Sequence, residues 1–567
     1  MLHGLKVPRS VPGLAHTDDC RFSDESASVR PPEILCQILQ FAVGPNGGVK
    51  ALLPLTRVSA QWRRAALGDS SLWTTIHLRQ TTDPLLDMIL ARAGNRLFTV
   101  YVDDHDLDRL AKLWELFDRV EELHYTHDGI EELTPFITSL GPAPNLKALY
   151  LQPGSATRHI TAVNKLPVIF SGCLPLLRTI AFSNTIAWPP GLFRDLVSFE
   201  CGASKHHPIS ASHALDAIRG SPSIKFICLV GISRVPKGFD PPVVDFPSLE
   251  NCTLSGNGTN SLIRFIIAPM TSIVSLSRSH TGEESFYPNF NECSVMPGIR
   301  LLDELSALSL SISDYAAQLQ ARNDHGGVLD VKVDELYHLS KNPIKFIDTI
   351  WDSFQCWHSC PGFKTAKRFT LRIERGRIWQ PGEADLFSVN VLGLMRNLPG
   401  VKAVDFHGVP PRELANLLVL LSSPPEDKFP CPNLSRLHVE STILRSPEPL
   451  LVALDRFLTS RKSAGVPLQY VTIKVRCETL VPAADHCAFL AAWEGVVEES
   501  VRVEYERAEV ERLPGCRRYD CGCGDNEDEN EGADIRDAGD HCVGWDGWPE
   551  KWPETTQEAN RQQAGSA

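Results

Sequence analysis

Apolar positions fall into two regimes along this chain. Between residues 31 and 79 they crowd into two dense clusters around a glycine-rich gap, "PPEILCQILQFAVGPNGGVKALLPLTRVSAQWRRAALGDSSLWTTIHLR". Ile34, Ile38 and Phe41 recur at helical spacing, with Leu35, Leu39 and Ala42 as a second row beside them. Pro31 and Pro32 suit a first helical turn, where a missing N–H costs nothing, and Glu33 suits the positive end of the helix dipole. The segment GPNGG (44–48) ends that helix. Leu52, Leu55 and Val58, then Trp62 four residues on, predict a second helical segment with a bend or a start at Pro54. Asp69 or Ser70 is placed to cap a short final turn leading to Leu72 and Trp73. Fifty residues in three short helices cannot bury all of this apolar surface alone, so the surplus face needs a partner or the rest of the chain.

Beyond residue 79 a different spacing recurs: apolar, two residues, apolar, one residue, apolar. Its last two positions alternate as a strand requires. It is seen at Trp73/Ile76/Leu78, Leu97/Val100/Val102, Val120/Leu123/Tyr125, Leu146/Leu149/Leu151, Leu177/Ile180/Phe182 and Leu196/Phe199/Cys201. It returns at Ile224/Ile227/Leu229, Leu249/Cys252/Leu254, Leu305/Leu308/Leu310, Val401/Val404/Phe406, Leu434/Leu437/Val439 and Leu468/Val471/Ile473. At 43% apolar residues roughly one position in twelve starts such a triple by chance, so the spacing alone is weak. A stricter form carries a proline two residues ahead, as in "APNLKALYL", "LPLLRTIAF", "SPSIKFICL", "FPSLENCTL", "LPGVKAVDF" and "CPNLSRLHV". That form should arise about three times by chance, and it occurs six times.

Helix-like runs lie between the triples, at 84–94, 212–222, 261–269, 412–424 and 448–465. Helix, proline-marked turn and short strand in alternation, at intervals of about 20 to 35 residues, is similar to a degenerate leucine-rich repeat array without its asparagine ladder. An α/β domain of ordinary βα units is the alternative. Tyr150, Glu200, Asp405 and His438 sit between the apolar positions and would face a partner across a sheet. Residues 277–300 read as a loop, and 311–365 as an insertion or break in the array. "YVTIKVRC" (470–477), a helix over about 483–499 and the edge-like strand "VRVEYE" (501–506) close the ordered region.

The first cluster carries a resemblance to a known family. "PPEIL" followed after two intervening residues by Ile38, then "LLPLTRVSAQWRRAAL" and "SLW", resembles an F-box over residues 29–79, of the kind found in many fungal F-box proteins. The family's usual leucine before Pro-Pro-Glu is replaced here by Arg30, with Val29 one residue away. The resemblance implies docking on the Skp-type adaptor of a cullin–RING ubiquitin ligase. By position, Pro31, Pro32, Ile34, Leu35, Ile38 and Leu39 match the first docking segment, and Leu52, Leu55, Val58 and Trp62 the second. Each of these residues is equally open to a reading as internal core.

Charge and composition narrow the classes further. The net charge is −13 over 567 residues, which argues against nucleic acid as the main partner. There is no apolar run of signal-peptide or membrane-spanning length. The cysteines, as at Cys36, Cys173, Cys228 and Cys252, lie in apolar stretches and read as small buried hydrophobes of a reducing compartment, cytoplasm or nucleus. Cys516, Cys521, Cys523, His541 and Cys542, and separately Cys356, His358 and Cys360, lack the paired spacing of zinc knuckles. No phosphate loop, HExxH or GxSxG motif is present. Residues 525–540 carry eight acids against one arginine, which predicts disorder; Trp545, Trp548 and Trp552 form a candidate docking motif within the tail.

The expectation is therefore an α/β chain. A disordered N-terminus (1–28) precedes a three-helix F-box (29–79), an irregular leucine-rich-repeat-like solenoid (80–512) and a disordered acidic tail (513–567). Its function would be that of a non-enzymatic adaptor with no cofactor and no metal, tethering an unknown target protein to a ubiquitin ligase. The rival expectation is an F-box/repeat interaction scaffold with no ligase role.

Overall fold

The structure of the chain is a computed structural model. It describes residues 31–44, 47–103, 109, 117–127, 141–153, 164–183, 185–189, 191–203, 208–233, 241–279, 299–313, 316–334, 361–374, 383–422, 429–444, 448–477, 491–493 and 496–507. The N-terminal segment, Val29, Arg30, the acidic tail with its tryptophans, and both cysteine–histidine clusters lie outside the described residues.

The first cluster folds as three helices: α1 (Pro32–Val43), α2 (Gly48–Leu55) and α3 (Ala60–Gly68). Pro31 stands at the entry to α1, and Gly44 closes it at φ 67°, its N–H returning to the Gln40 carbonyl. Pro54 falls in the last turn of α2, not at a helix start. Its ring has the preceding turn already in place, and the helix stops one residue later. Ser59 then caps α3, its hydroxyl accepting from the Trp62 N–H at 3.2 Å. Asp69 accepts from the Ser71 N–H at 2.9 Å and starts a single 3₁₀ turn, Ser70–Trp73.

A sheet of 17 strands follows in a large mixed α/β region. In chain order its strands are β1 (Thr75–His77), β2 (Phe98–Asp103), β3 (Val120–His127), β4 (Ala148–Pro153), β5 (Thr179–Ser183) and β6 (Ser198–Gly202). Next come β7 (Phe226–Val230), β8 (Asn251–Ser255), β9 (Ile273–Ser279), β10 (Ala307–Ile312), β11 (Ala317–Arg322) and β12 (Val328–Asp334). The last five are β13 (Arg368–Ile373), β14 (Ala403–Val409), β15 (Arg436–Leu444), β16 (Tyr470–Cys477) and β17 (Ser500–Arg507). From β1 to β9 and from β13 to β17 each strand pairs in parallel with the next in sequence.

The six proline-marked triples have a common cause. In each, the proline is the second residue of a turn closed by a backbone hydrogen bond from the first apolar residue of the triple. Leu146 donates to Ala143, Leu177 to Leu174, Ile224 to Ser221, Leu249 to Phe246, Val401 to Leu398 and Leu434 to Cys431, at 3.0 to 3.3 Å. Proline has φ preset for that position and needs no N–H there. The two following apolar residues, such as Leu149/Leu151, Ile227/Leu229 and Leu437/Val439, then point into the core from a strand.

Over its described part, the region 311–365 interrupts the parallel succession with strands of its own. The chain leaves β9, reaches β10 three places away, and returns through β11 and β12, so that the spatial order is β9–β12–β11–β10–β13. Only β11 runs against the rest. The β11–β12 turn is fixed by Asn323, whose side-chain oxygen accepts from the His325 and Gly327 N–H groups while its amide donates to the Met270 carbonyl at 2.8 Å. A Cβ at Gly327 would stand 2.0 Å from that same carbonyl, so only glycine lets the hairpin close on the neighbouring segment. Strand β9 also extends through residues 277–279, which the sequence suggested were loop.

Helices α4 (Asp83–Ala93), α5 (Ala211–Arg219), α6 (Thr259–Ile263), α7 (Glu383–Arg396), α8 (Pro411–Ser422) and α9 (Glu448–Ser463) occupy the runs between strands. The run 261–269 is only partly helical, since Ile266–Ile267 pairs as a strand with Val244–Asp245. Near the C-terminal end of the sheet, Ser388 of α7 donates to the Glu413 carbonyl, and Ser460 of α9 donates to the Ser422 carbonyl at 2.6 Å. Among the described residues no helix is long and apolar enough to cross a membrane.

Candidate functional site

Two surfaces stand out among the described residues: the helical face of the first cluster and the outward face of the sheet. In the first cluster, one of the two apolar rows of α1 is spent on the chain itself. Leu35, Leu39 and Leu52 are fully buried with Ala65, Ala66, Leu72 and Trp73. Gln40 secures the arrangement by donating to the Ser71 hydroxyl at 2.8 Å. The other row of α1 is left outside. Ile34 is 43% exposed and Phe41 89% exposed, with Ile38 half-buried between them. Pro31 and Pro32 are exposed, Val58 is 60% exposed in the turn after α2, and Leu55 and Trp62 are half-buried. Phe41, almost wholly in water, lies on the same helical stripe as Ile34. The resemblance does not match Phe41 to a docking segment, although its i+7 spacing from Ile34 places it on the stripe.

The sheet face is ordered by strict register. Residues opposite one another on successive strands form a single row: His77, Tyr101, His124 and Tyr150 on β1–β4, then Ala181, Glu200 and Cys228 on β5–β7. At the other end the same row continues through Thr370, Asp405, His438, Thr472 and Arg502 on β13–β17. Tyr150, Glu200, Asp405 and His438, named from the sequence as facing a partner, thus occupy one line across the sheet. Their flanking residues point the other way, into the core.

The first four members are stacked rings. Centroid separations are 4.3 Å for His77–Tyr101, 4.2 Å for Tyr101–His124 and 4.1 Å for His124–Tyr150, with planes within 15°. That spacing is slightly tighter than the strand spacing of a sheet, so the backbone itself sets the stack. Gly48, at the start of α2 with φ +54°, meets the first ring; a Cβ there would lie 2.5 Å from His77 Cδ2. The helical cluster therefore abuts the end of the row. Burial, with Glu122 nearby, pushes the Tyr101 phenol up to about 12. Half-buried Glu200 is pushed up to about 7 by burial.

The cysteines divide. Cys201, Cys252 and Cys431 are buried, and burial holds their thiols neutral, at about 12 for Cys252 and Cys431. They act as small hydrophobes. Cys173 departs from that reading: it is exposed, beside the turn at Pro175. Cys36 is half-buried, its thiol facing the Ala65 carbonyl at 3.9 Å.

No curated protein and no solved structure matches this chain. A family model does match, described as F-box-like, and it covers residues 31–79, from the exposed Pro31 to Arg79, two residues past β1. The chain carries an F-box-like domain at residues 31–79, followed by a large mixed α/β region.

Proposed function

We propose that this protein is a substrate-recognition adaptor of a Skp–cullin–F-box ubiquitin ligase. The F-box-like domain would dock on a Skp-type adaptor protein, a generic partner of F-box domains, and the outward row of the sheet would hold a target protein. The observation that carries the reading is the division of α1: Leu35 and Leu39 are consumed inside the chain while Ile34 and Phe41 stay in water. A stable protein interface draws most of its energy from a few such apolar and aromatic anchors.

The region after residue 79 is read as leucine-rich-repeat-like, supported by the recurrent proline turn and the chain-order parallel pairing. In this reading the chain makes and breaks no covalent bond. It raises the local concentration of a target beside the conjugating machinery, a proximity effect.

The test is co-purification of the full chain with a Skp-type adaptor, beside Phe41→Asp and Ile34→Asp variants whose circular dichroism matches wild type. Capture by wild type and its loss in both variants support the docking reading. No capture by wild type overturns it. Ubiquitin transfer to a bound target in a reconstituted ligase then separates the adaptor from a scaffold that binds the Skp-type protein without ligase activity.

A further inference from the structure

Toward the C-terminal end of the sheet three metal-ligating side chains converge. We propose that His407, His438 and Glu440 form a binding site for a divalent transition metal of the zinc class, through two imidazole nitrogens and one carboxylate oxygen.

The convergence is set by the backbone. His407 lies on β14 directly opposite Glu440 on β15, and His438 precedes Glu440 by two residues. Phe406 and Val439, adjacent to these residues, are buried, so all three ligand side chains leave the same outward face. Their ligand atoms lie within 4.8 Å of one another. His407 Nδ1 and Glu440 Oε2 are 3.0 Å apart. Metal bonds of about 2.0–2.2 Å place tetrahedral ligand atoms roughly 3.3 Å apart. One edge of the coordination figure is thus close to its working length, and His438 stands within 4.8 Å of both partners.

A second feature points to the same place. The register between β14 and β15 slips between His407 and Val409, leaving Gly408 as an extra residue at φ +66°. A Cβ at Gly408 would stand 2.2 Å from the Ile373 carbonyl. The strand is bulged immediately after His407, at a position only glycine tolerates, and bulges of this sort re-aim the adjacent side chain.

Asp405, opposite His438, is engaged elsewhere, accepting from Thr370 at 3.4 Å and lying 3.7 Å from Arg368. Lys474, opposite Glu440 on β16, and Arg372, opposite His407 on β13, are the neighbouring cations; the Lys474 Nζ is 3.7 Å from Glu504. Three protein ligands leave a coordination position on the open side of the sheet for water or for a donor group of a bound molecule. The site does not depend on the adaptor reading, and its test does not involve a Skp-type protein.

The experiment is titration of the chelator-stripped full chain with Zn²⁺ against a chromophoric chelator, for wild type, His438→Ala, Glu440→Gln and Lys474→Met. Wild type should bind one equivalent more than His438→Ala, and the isosteric Glu440→Gln should weaken that equivalent at least tenfold. Lys474→Met should tighten it about threefold or more by removing a neighbouring charge. Co²⁺ at the same site should give a visible spectrum without sulfur-to-metal charge transfer, which separates it from any thiolate site elsewhere in the chain. Equal stoichiometry and affinity in wild type and Glu440→Gln would overturn the proposal, as would a wild-type chain whose every bound equivalent shows the thiolate band.

Discussion

The indole N–H of Trp73 donates to the Ala66 carbonyl at 2.8 Å, with both residues fully buried. This bond ties the end of α3 to the turn that leads into β1, inside the F-box-like domain. Trp73→Phe should leave the carbonyl without its donor and cost about 1–3 kcal/mol. Trp73→Ala adds a cavity and should cost about 3–5 kcal/mol. Urea unfolding followed by far-ultraviolet circular dichroism measures both. Equal stability of Trp73→Phe and wild type would show that the hydrogen bond is energetically idle.

Leu39 and Phe41 are two residues apart on α1 and should respond oppositely. Leu39→Ala removes a fully buried side chain and should destabilise the fold by about 2–5 kcal/mol. Phe41→Asp, at 89% exposure, should change stability by less than about 0.5 kcal/mol while abolishing capture of a Skp-type adaptor. A folded Phe41→Asp protein that still binds the adaptor would remove Phe41 from the interface.

Glu200 makes stability depend on pH. Its folded-state pKa of about 7 lies above the ordinary 4.5 because burial disfavours the carboxylate. An acid shifted upward binds more protons folded than unfolded between those two values. Stability therefore falls as pH rises from about 4.5 to about 7 and is level beyond, by up to about 3 kcal/mol. Glu200→Gln should flatten this slope and be more stable than wild type at pH 8. Parallel denaturation curves for the two proteins from pH 5 to pH 8 would contradict the assignment.

Arg461 on α9 is 0% exposed and donates to the carbonyls of Cys431, Pro432 and Leu434, the turn that launches β15. Burial draws its guanidinium down to about 10, which leaves it charged at neutral pH. Arg461→Met should strand these acceptors and cost about 2–4 kcal/mol. Arg461→Lys should not restore the loss, because one ammonium cannot span the acceptors that a planar fork reaches. Thermal unfolding of the two variants tests this; a lysine variant as stable as wild type would refute the geometric argument.

What could be read from sequence was whatever a local pattern controls. The apolar-x-x-apolar-x-apolar spacing located most strands because alternation in a strand is a property of three or four consecutive residues. The proline two positions ahead located the turns because proline presets its own φ. The same pattern aligns the proline-marked triples at 401 and 434, which sets His407 level with Glu440 and Asp405 level with His438. The candidate metal cluster was therefore legible in principle, but metal motifs were sought as spacings along one segment, whereas these ligands come from two strands some thirty residues apart. The β10–β12 reversal left no comparable trace, because the Gly327 approach that permits it is to a carbonyl at Met270, far away in the chain.

Helical periodicity likewise identified which residues of α1 were apolar, and Phe41, Leu35 and Ile34 were indistinguishable by that criterion. Only packing against α2, α3 and Trp73 decided that Leu35 faces inward and Phe41 outward. Hydrophobicity is a property of each side chain. Which side of a helix meets the core depends on where the rest of the chain lies, and that is decided only when the helix, the capped turn at Asp69 and the first strand come together.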